Sequence, residues 1–272
     1  MSILKNSNIE ILLNSDISKD GYLHNPLTND TSINKNLPEW YPSDTPHLFN
    51  VNLKKNPTNS SLIEYKSNPI KYELNQYGFR TPSSFNSNKP GNVFLGCSHT
   101  FGIGHHLENI WSYNLNKTIG GEFFNLSVAG HGVNTSFRLL LNWYDKLNIK
   151  NVFHYLPFYA RYEYYMDSRF ETLMISNLNH KQETYLGRMK YPLVSTQQIA
   201  MNTIAYSMAI ECICKSINVN YYVLSENDLN DVLLKDSNTH VINEDRSLKA
   251  RDLMHYSVYR MKKLENLFLT KL

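Results

Sequence analysis

Between residues 92 and 225 four short apolar runs recur, "NVFLG", "EFFNLSV", "NVFHYLPF" and "NVNYYVLS". Each is followed by a stretch with helical signals. "NIWSYNLNKTIGG" has helical spacing through Ile110, Tyr113, Asn114 and Lys117 and stops at Gly120-Gly121. "NTSFRLLLNWYDKL" offers Asn134 or Thr135 as an N-cap. "STQQIAMNTIAYSMAIECICKSI" carries an apolar stripe through Ile199, Thr203, Tyr206, Ile210, Ile213 and Ile217. "SVYRMKKLENLFLTKL" closes the chain with Val258, Met261, Leu264, Phe268 and Leu272 on one face. Short apolar strands alternating with crossover helices predict a parallel sheet with helices on both faces. The expected fold class is a three-layer α/β/α sandwich over residues 91–272.

Residues 1–90 are different. "SLIEYKS" and "IKYELNQYGFRT" alternate apolar and polar residues, and "HNPLTNDTSINKNLPEWYPSDTP" is turn-rich. Alternation between turn residues predicts short strands or hairpins. This segment is expected to be an N-terminal extension of short strands and loops packed on the main domain. Asparagine, lysine and tyrosine recur in every segment and are taken as compositional bias.

Net charge is +3 and the basic runs, "LKKN" and "RMKK", are short, which argues against a nucleic-acid partner. The start "MSILKNSNIEILLNSD" lacks the pattern of a signal peptide, and no apolar run reaches membrane-spanning length. Cys97, Cys212 and Cys214 form no disulfide framework, so reduced thiols and a cytoplasmic site of synthesis are expected. Cys212 and Cys214 sit two apart on a predicted helix and point different ways, as core packing rather than a redox pair.

Ligands of parallel sheets bind beyond the carboxyl ends of the strands. Ser98 follows the first strand, Gly130 the second, and Tyr159 and Arg161 the third. A serine nucleophile needs a base, and the base needs an orienting carboxylate. "ARDLMHYS" supplies both, with Asp252 three residues before His255. The N–H groups of Ser98 and of Gly130, in "NLSVAGHG", are candidate donors to an oxyanion.

On these motifs the chain resembles the SGNH, or GDSL-like, hydrolases. "FLGCSHTFGIG" is similar to the family's first block, which carries the nucleophile, and Trp111 sits where many members open the first helix with tryptophan. "NLSVAG" is similar to the second block, whose final glycine donates to the oxyanion and maps to Gly130. "DLMH" matches the last block, giving Asp252 and His255. The resemblance implies a flavodoxin-like sandwich, an acyl-enzyme on Ser98 and no metal or organic cofactor.

Two positions depart from the family. Cys97 replaces the aspartate before the serine, a mainly structural position. The Gly-x-Asn-Asp block is missing, and its asparagine would fall near Tyr159, so the Tyr159 hydroxyl or the Arg161 guanidinium is the substitute donor to consider. Asn227-Asp228 follows the fourth strand, which is the wrong place in the topology.

His99, His105, His106 and His131 cluster near the same edge without zinc spacing, so substrate contacts, His99 first, or plain loop histidines are the reading. Gly102-x-Gly104 lacks a nucleotide-binding pattern, and "GCSHT" fails the Gly-x-Ser-x-Gly elbow. The aromatic run "FYARYEYY" fits core and a sugar-stacking wall equally. The expected activity is a serine esterase acting on a small-molecule or glycan ester, best an O-acetyl group on a carbohydrate. The alternatives are an O-acyltransferase or a catalytically inactive module that binds glycan or protein.

Overall fold

A computed structural model describes residues 39–41, 43–157, 161–166, 169–174, 196–225 and 250–272. Tyr159, Asn227 and Asp228 lie outside the described residues. In chain order the elements are α1 (Pro46–Lys55), α2 (Ser60–Ser67), β1 (Gly91–Leu95), α3 (Ser98–Phe101), α4 (Trp111–Ile119), β2 (Glu122–Asn125), α5 (Val133–Trp143) and β3 (Ile149–Tyr155). They continue with β4 (Arg161–Met166), β5 (Arg169–Met174), α6 (Thr196–Ser216), β6 (Asn220–Leu224) and α7 (Val258–Leu269).

The four apolar runs form a parallel sheet in the order β2-β1-β3-β6. This is the doubly wound order, with the reversal between β1 and β3. The pleat divides each strand between two cores. Val93, Leu95, Phe124 and Val152 pack with Leu139, Leu140 and Trp143 of α5 and Ile210, Ile213 and Cys214 of α6. Phe94, Phe123, Phe153 and Tyr155 pack with Trp111 and Leu115 of α4 and Met261, Leu264 and Phe268 of α7. Strands covered on both faces carry apolar residues facing both ways, which is why a clean apolar-polar alternation is missing from these runs. The three-layer α/β/α sandwich expected from the sequence is the architecture found. No helix among the described residues is long and apolar enough to cross a membrane.

Several local expectations are corrected. "SLIEYKS" is helix α2, because Asn59 caps the Leu62 N–H at 3.1 Å and the buried Leu62 and Tyr65 are three apart, a helical spacing. A second helix, α1, precedes it, capped by Thr45 and opened by Pro46. "IKYELNQYGFRT" does turn back on itself, pairing Leu74 with Arg80. In α4 the buried face is Trp111, Ser112, Leu115 and Asn116, so Tyr113, Asn114 and Lys117 lie off it. In α7 Met261, Leu264 and Phe268 are buried, but Val258 is exposed, as is Leu272 beyond the helix end.

Asn134 and Thr135 do not cap α5, whose N-cap is Gly132. Their side chains donate instead to the carbonyl and carboxylate of Glu163 at 2.9 and 2.8 Å. That anchors β4, one arm of an antiparallel β4–β5 hairpin, on α5. A third cluster joins Tyr41, Phe49, Leu62, Tyr65, Ile70 and Tyr72 to Phe101, Ile103 and Ala129, at the carboxyl edge of the sheet.

Candidate active site

Ser98 opens α3 directly after β1, through a turn that needs glycine. Gly96 has φ +148, and a Cβ there would run into the Thr100 side chain and lie 2.8 Å from the Tyr155 carbonyl oxygen. Ser98 is 4% exposed. Its hydroxyl reaches Cys97 Sγ at 3.9 Å.

The base and its orienter occupy the loop before α7. Asp252 Oδ2 meets His255 Nδ1 at 2.5 Å. Asp252 Oδ1 accepts the Met254 and His255 N–H groups at 3.0 and 3.1 Å. Burial pushes the Asp252 carboxyl up, but the His255 ring and these two N–H groups outweigh it and hold the carboxyl below its ordinary value. A carboxylate accepts, so Nδ1 donates, and in the neutral ring Nε2 carries the lone pair that a base needs.

The loop is fixed from the N-terminal side. Arg251 binds Asp44, stacks over Trp40 at 3.9 Å and donates its N–H to the Gly104 carbonyl at 3.0 Å. Asn52 Nδ2 donates to the Asp252 carbonyl at 3.1 Å. Tyr72 ties the arrangement to α3, donating to Asp44 at 2.6 Å and accepting the Gly104 N–H at 2.8 Å. Arg80 donates to the carbonyls of Gly102 and, at 2.8 Å, His105. None of these supporting residues was singled out in the sequence. The signal was Arg251, an arginine next to Asp252 with no acid at helical spacing to pair with.

The β2 loop runs beside the serine turn, since the Val128 N–H donates to the Gly96 carbonyl at 3.1 Å. Gly130 has φ +79 and faces open space where a Cβ would stand. Among the described residues, the N–H groups of Ser98 and Gly130 donate to no protein acceptor.

His99 stacks on Tyr256 with ring centroids 3.6 Å apart and lies 5.2 Å from the His255 ring. Burial, then the charges of His255 and Arg161, hold His99 well below the usual histidine range. Arg161, at the start of β4, packs its carbonyl against Gly132. The structure thus gathers Ser98, His99, Gly130, Arg161, Asp252 and His255 at one sheet edge. Among the described residues no hydrogen bond joins Ser98 to His255. No three His, Cys, Asp or Glu side chains among them group as metal ligands would.

No family model matches the chain, and no curated protein matches it. A solved structure is similar over 72% of this chain and 69% of its own, with TM-score 0.42 and 12% identity. It is of a carbohydrate esterase whose active site is described as displaying divergent catalytic and non-catalytic binding functions. A likeness of that size carries nothing about chemistry.

Proposed function

We propose that this chain is a serine esterase of the SGNH type, acting on an O-acetyl group of a carbohydrate. The observation that carries the proposal is the 2.5 Å contact between Asp252 Oδ2 and His255 Nδ1, on a loop whose histidine ring neighbours that of His99. Ser98 Oγ attacks the ester carbonyl as His255 Nε2 takes its proton. The N–H groups of Ser98 and Gly130 receive the oxyanion of the tetrahedral intermediate. The C–O bond to the sugar then breaks, and His255 returns the proton to the departing alcohol. Water, deprotonated by His255, attacks the acyl-enzyme and releases the acid and free Ser98. A Ser98 hydroxyl not yet bonded to His255 fits a resting enzyme whose catalytic hydrogen bond tightens only with substrate bound.

That same open contact, with the missing Gly-x-Asn-Asp block, favours one other reading: a module of this fold that binds glycan without turnover. Labelling with a fluorophosphonate separates the two. The esterase labels in wild type and fails to label as Ser98→Ala or His255→Ala. A folded wild type that does not label is the binding module.

A further inference from the structure

We infer that the ester taken by this site carries a carboxylate, and that Arg161 binds it. The inference rests on the esterase reading of the same site and names its substrate class. Nε and Nη1 of Arg161 are buried and make no hydrogen bond among the described residues. Arg161 is half-buried, and guanidinium donors taken out of water without an acceptor are costly. The acid two residues along the strand is already taken: Glu163 accepts from Arg138 at 2.7 and 2.9 Å and from Thr135 at 2.8 Å. Among the described residues, these two nitrogens of Arg161 are left without an acceptor, and an anionic ligand would supply one.

The surroundings say what kind. The Arg161 carbonyl packs against Gly132, beside the Gly130 loop, and its charge bears on both His99 and His131. His131 Nδ1 faces the Ala129 carbonyl at 2.9 Å and must donate to it. Burial holds this ring neutral, so its buried, unpartnered Nε2 is an acceptor. His99 Nδ1 is likewise buried without a partner. A guanidinium with unused donors beside an imidazole with an unused acceptor complements a carboxylate flanked by hydroxyl groups, as in an acidic sugar. A second guanidinium, Arg260, lies 4.0 Å over the Tyr256 ring and its charge also bears on His99. A neutral acetylated sugar would leave all of this unused.

The test is calorimetric titration of Ser98→Ala, which cannot turn over, with methyl glucuronoside, methyl glucoside and sodium succinate. The glucuronoside is expected to bind roughly tenfold tighter than the glucoside, a difference of about 1.4 kcal/mol, and to weaken as salt rises. Adding Arg161→Gln removes the preference, and adding Arg161→Lys, which keeps the charge should the glutamine variant not fold, retains part of it. Succinate binding with the same dependence on Arg161 supports the site too, and assigns the carboxylate to the acyl group instead of the sugar. Equal binding of acid and neutral probes, or a preference indifferent to Arg161, overturns the inference. Failure of the esterase reading shows up separately, as a wild type that does not label with fluorophosphonate yet still prefers the acid.

Discussion

Arg251 grips the carboxylate of Asp44 through three contacts, Nε to Oδ1 at 3.0 Å, Nε to Oδ2 at 3.1 Å and Nη2 to Oδ2 at 2.7 Å. Both side chains are 1% exposed. One belongs to the N-terminal segment and the other adjoins Asp252, so a residue 207 positions away holds the loop that carries the base. Asp44→Ala strands a buried guanidinium and takes away the acceptor of Tyr72. The expected loss is about 3–5 kcal/mol, read by urea unfolding with the denaturant slope unchanged. A loss under about 1 kcal/mol would show that the segment does not hold the loop.

That relationship was not legible in the sequence, whereas the sheet was. A parallel sheet needs both faces buried, so its strands stand out as short, predominantly apolar runs. An ion pair between distant residues leaves no period to read. In a seven-residue run such as "SLIEYKS", spacings of two and three or four both find matches, and the Asn59 cap decides for helix. The β4–β5 hairpin hid in an aromatic run because its anchor, Glu163, is satisfied from α5. The asparagines taken as compositional bias prove structural. Asn92 receives from Asn151 at 2.8 Å, Asn151 from Asn220 at 3.2 Å, and Asn92 donates to Asn116 at 2.8 Å, a polar ladder across three strands and α4. Ser98 and Gly130 were legible because each follows a strand whose end can be read, and Asp252 and His255 because they sit three apart just before the last helix.

Acid should destabilise this protein through its buried histidines. Burial, then the Arg80 charge, pushes His105 down to about 3, and burial alone pushes His154 down to about 3. In the unfolded chain each takes up a proton near 6.5, so between pH 6.5 and 3 the unfolded state binds more protons. Stability contributed by the neutral rings is complete above pH 6.5 and falls as pH drops toward 3. Each histidine adds about 1.4 kcal/mol per pH unit to that fall. His154→Asn can keep a polar contact to Tyr221, which lies 2.9 Å from His154 Nδ1, without a titrating ring. Unfolding free energies measured from pH 4 to 6 should show the slope reduced by about that amount, and an unchanged slope would mean His154 titrates normally.

Gly96 sets the geometry of the serine turn. Gly96→Ala places a methyl group against Thr100 and the Tyr155 carbonyl, in a left-handed conformation unfavourable to alanine. The cost should be at least about 2 kcal/mol. Because Ser98 is two residues on, fluorophosphonate labelling should slow even at temperatures where the variant is folded. A variant as stable as wild type would show that the turn relaxes freely.

Asp252→Asn separates the role of the carboxylate in catalysis from its role in the fold. An asparagine Oδ1 can still accept the Met254 and His255 N–H groups, now 3.0 and 3.1 Å from the aspartate oxygen. Its amide replaces Oδ2, and an amide donor facing Nδ1 favours the tautomer with the proton on Nε2, where Ser98 needs a lone pair. The variant should fold and lose most of its labelling rate, on the order of 10⁴-fold by analogy with the same change in a serine protease triad. Rate and unfolding are measured on one preparation, so a fall in both together would point to a structural role alone.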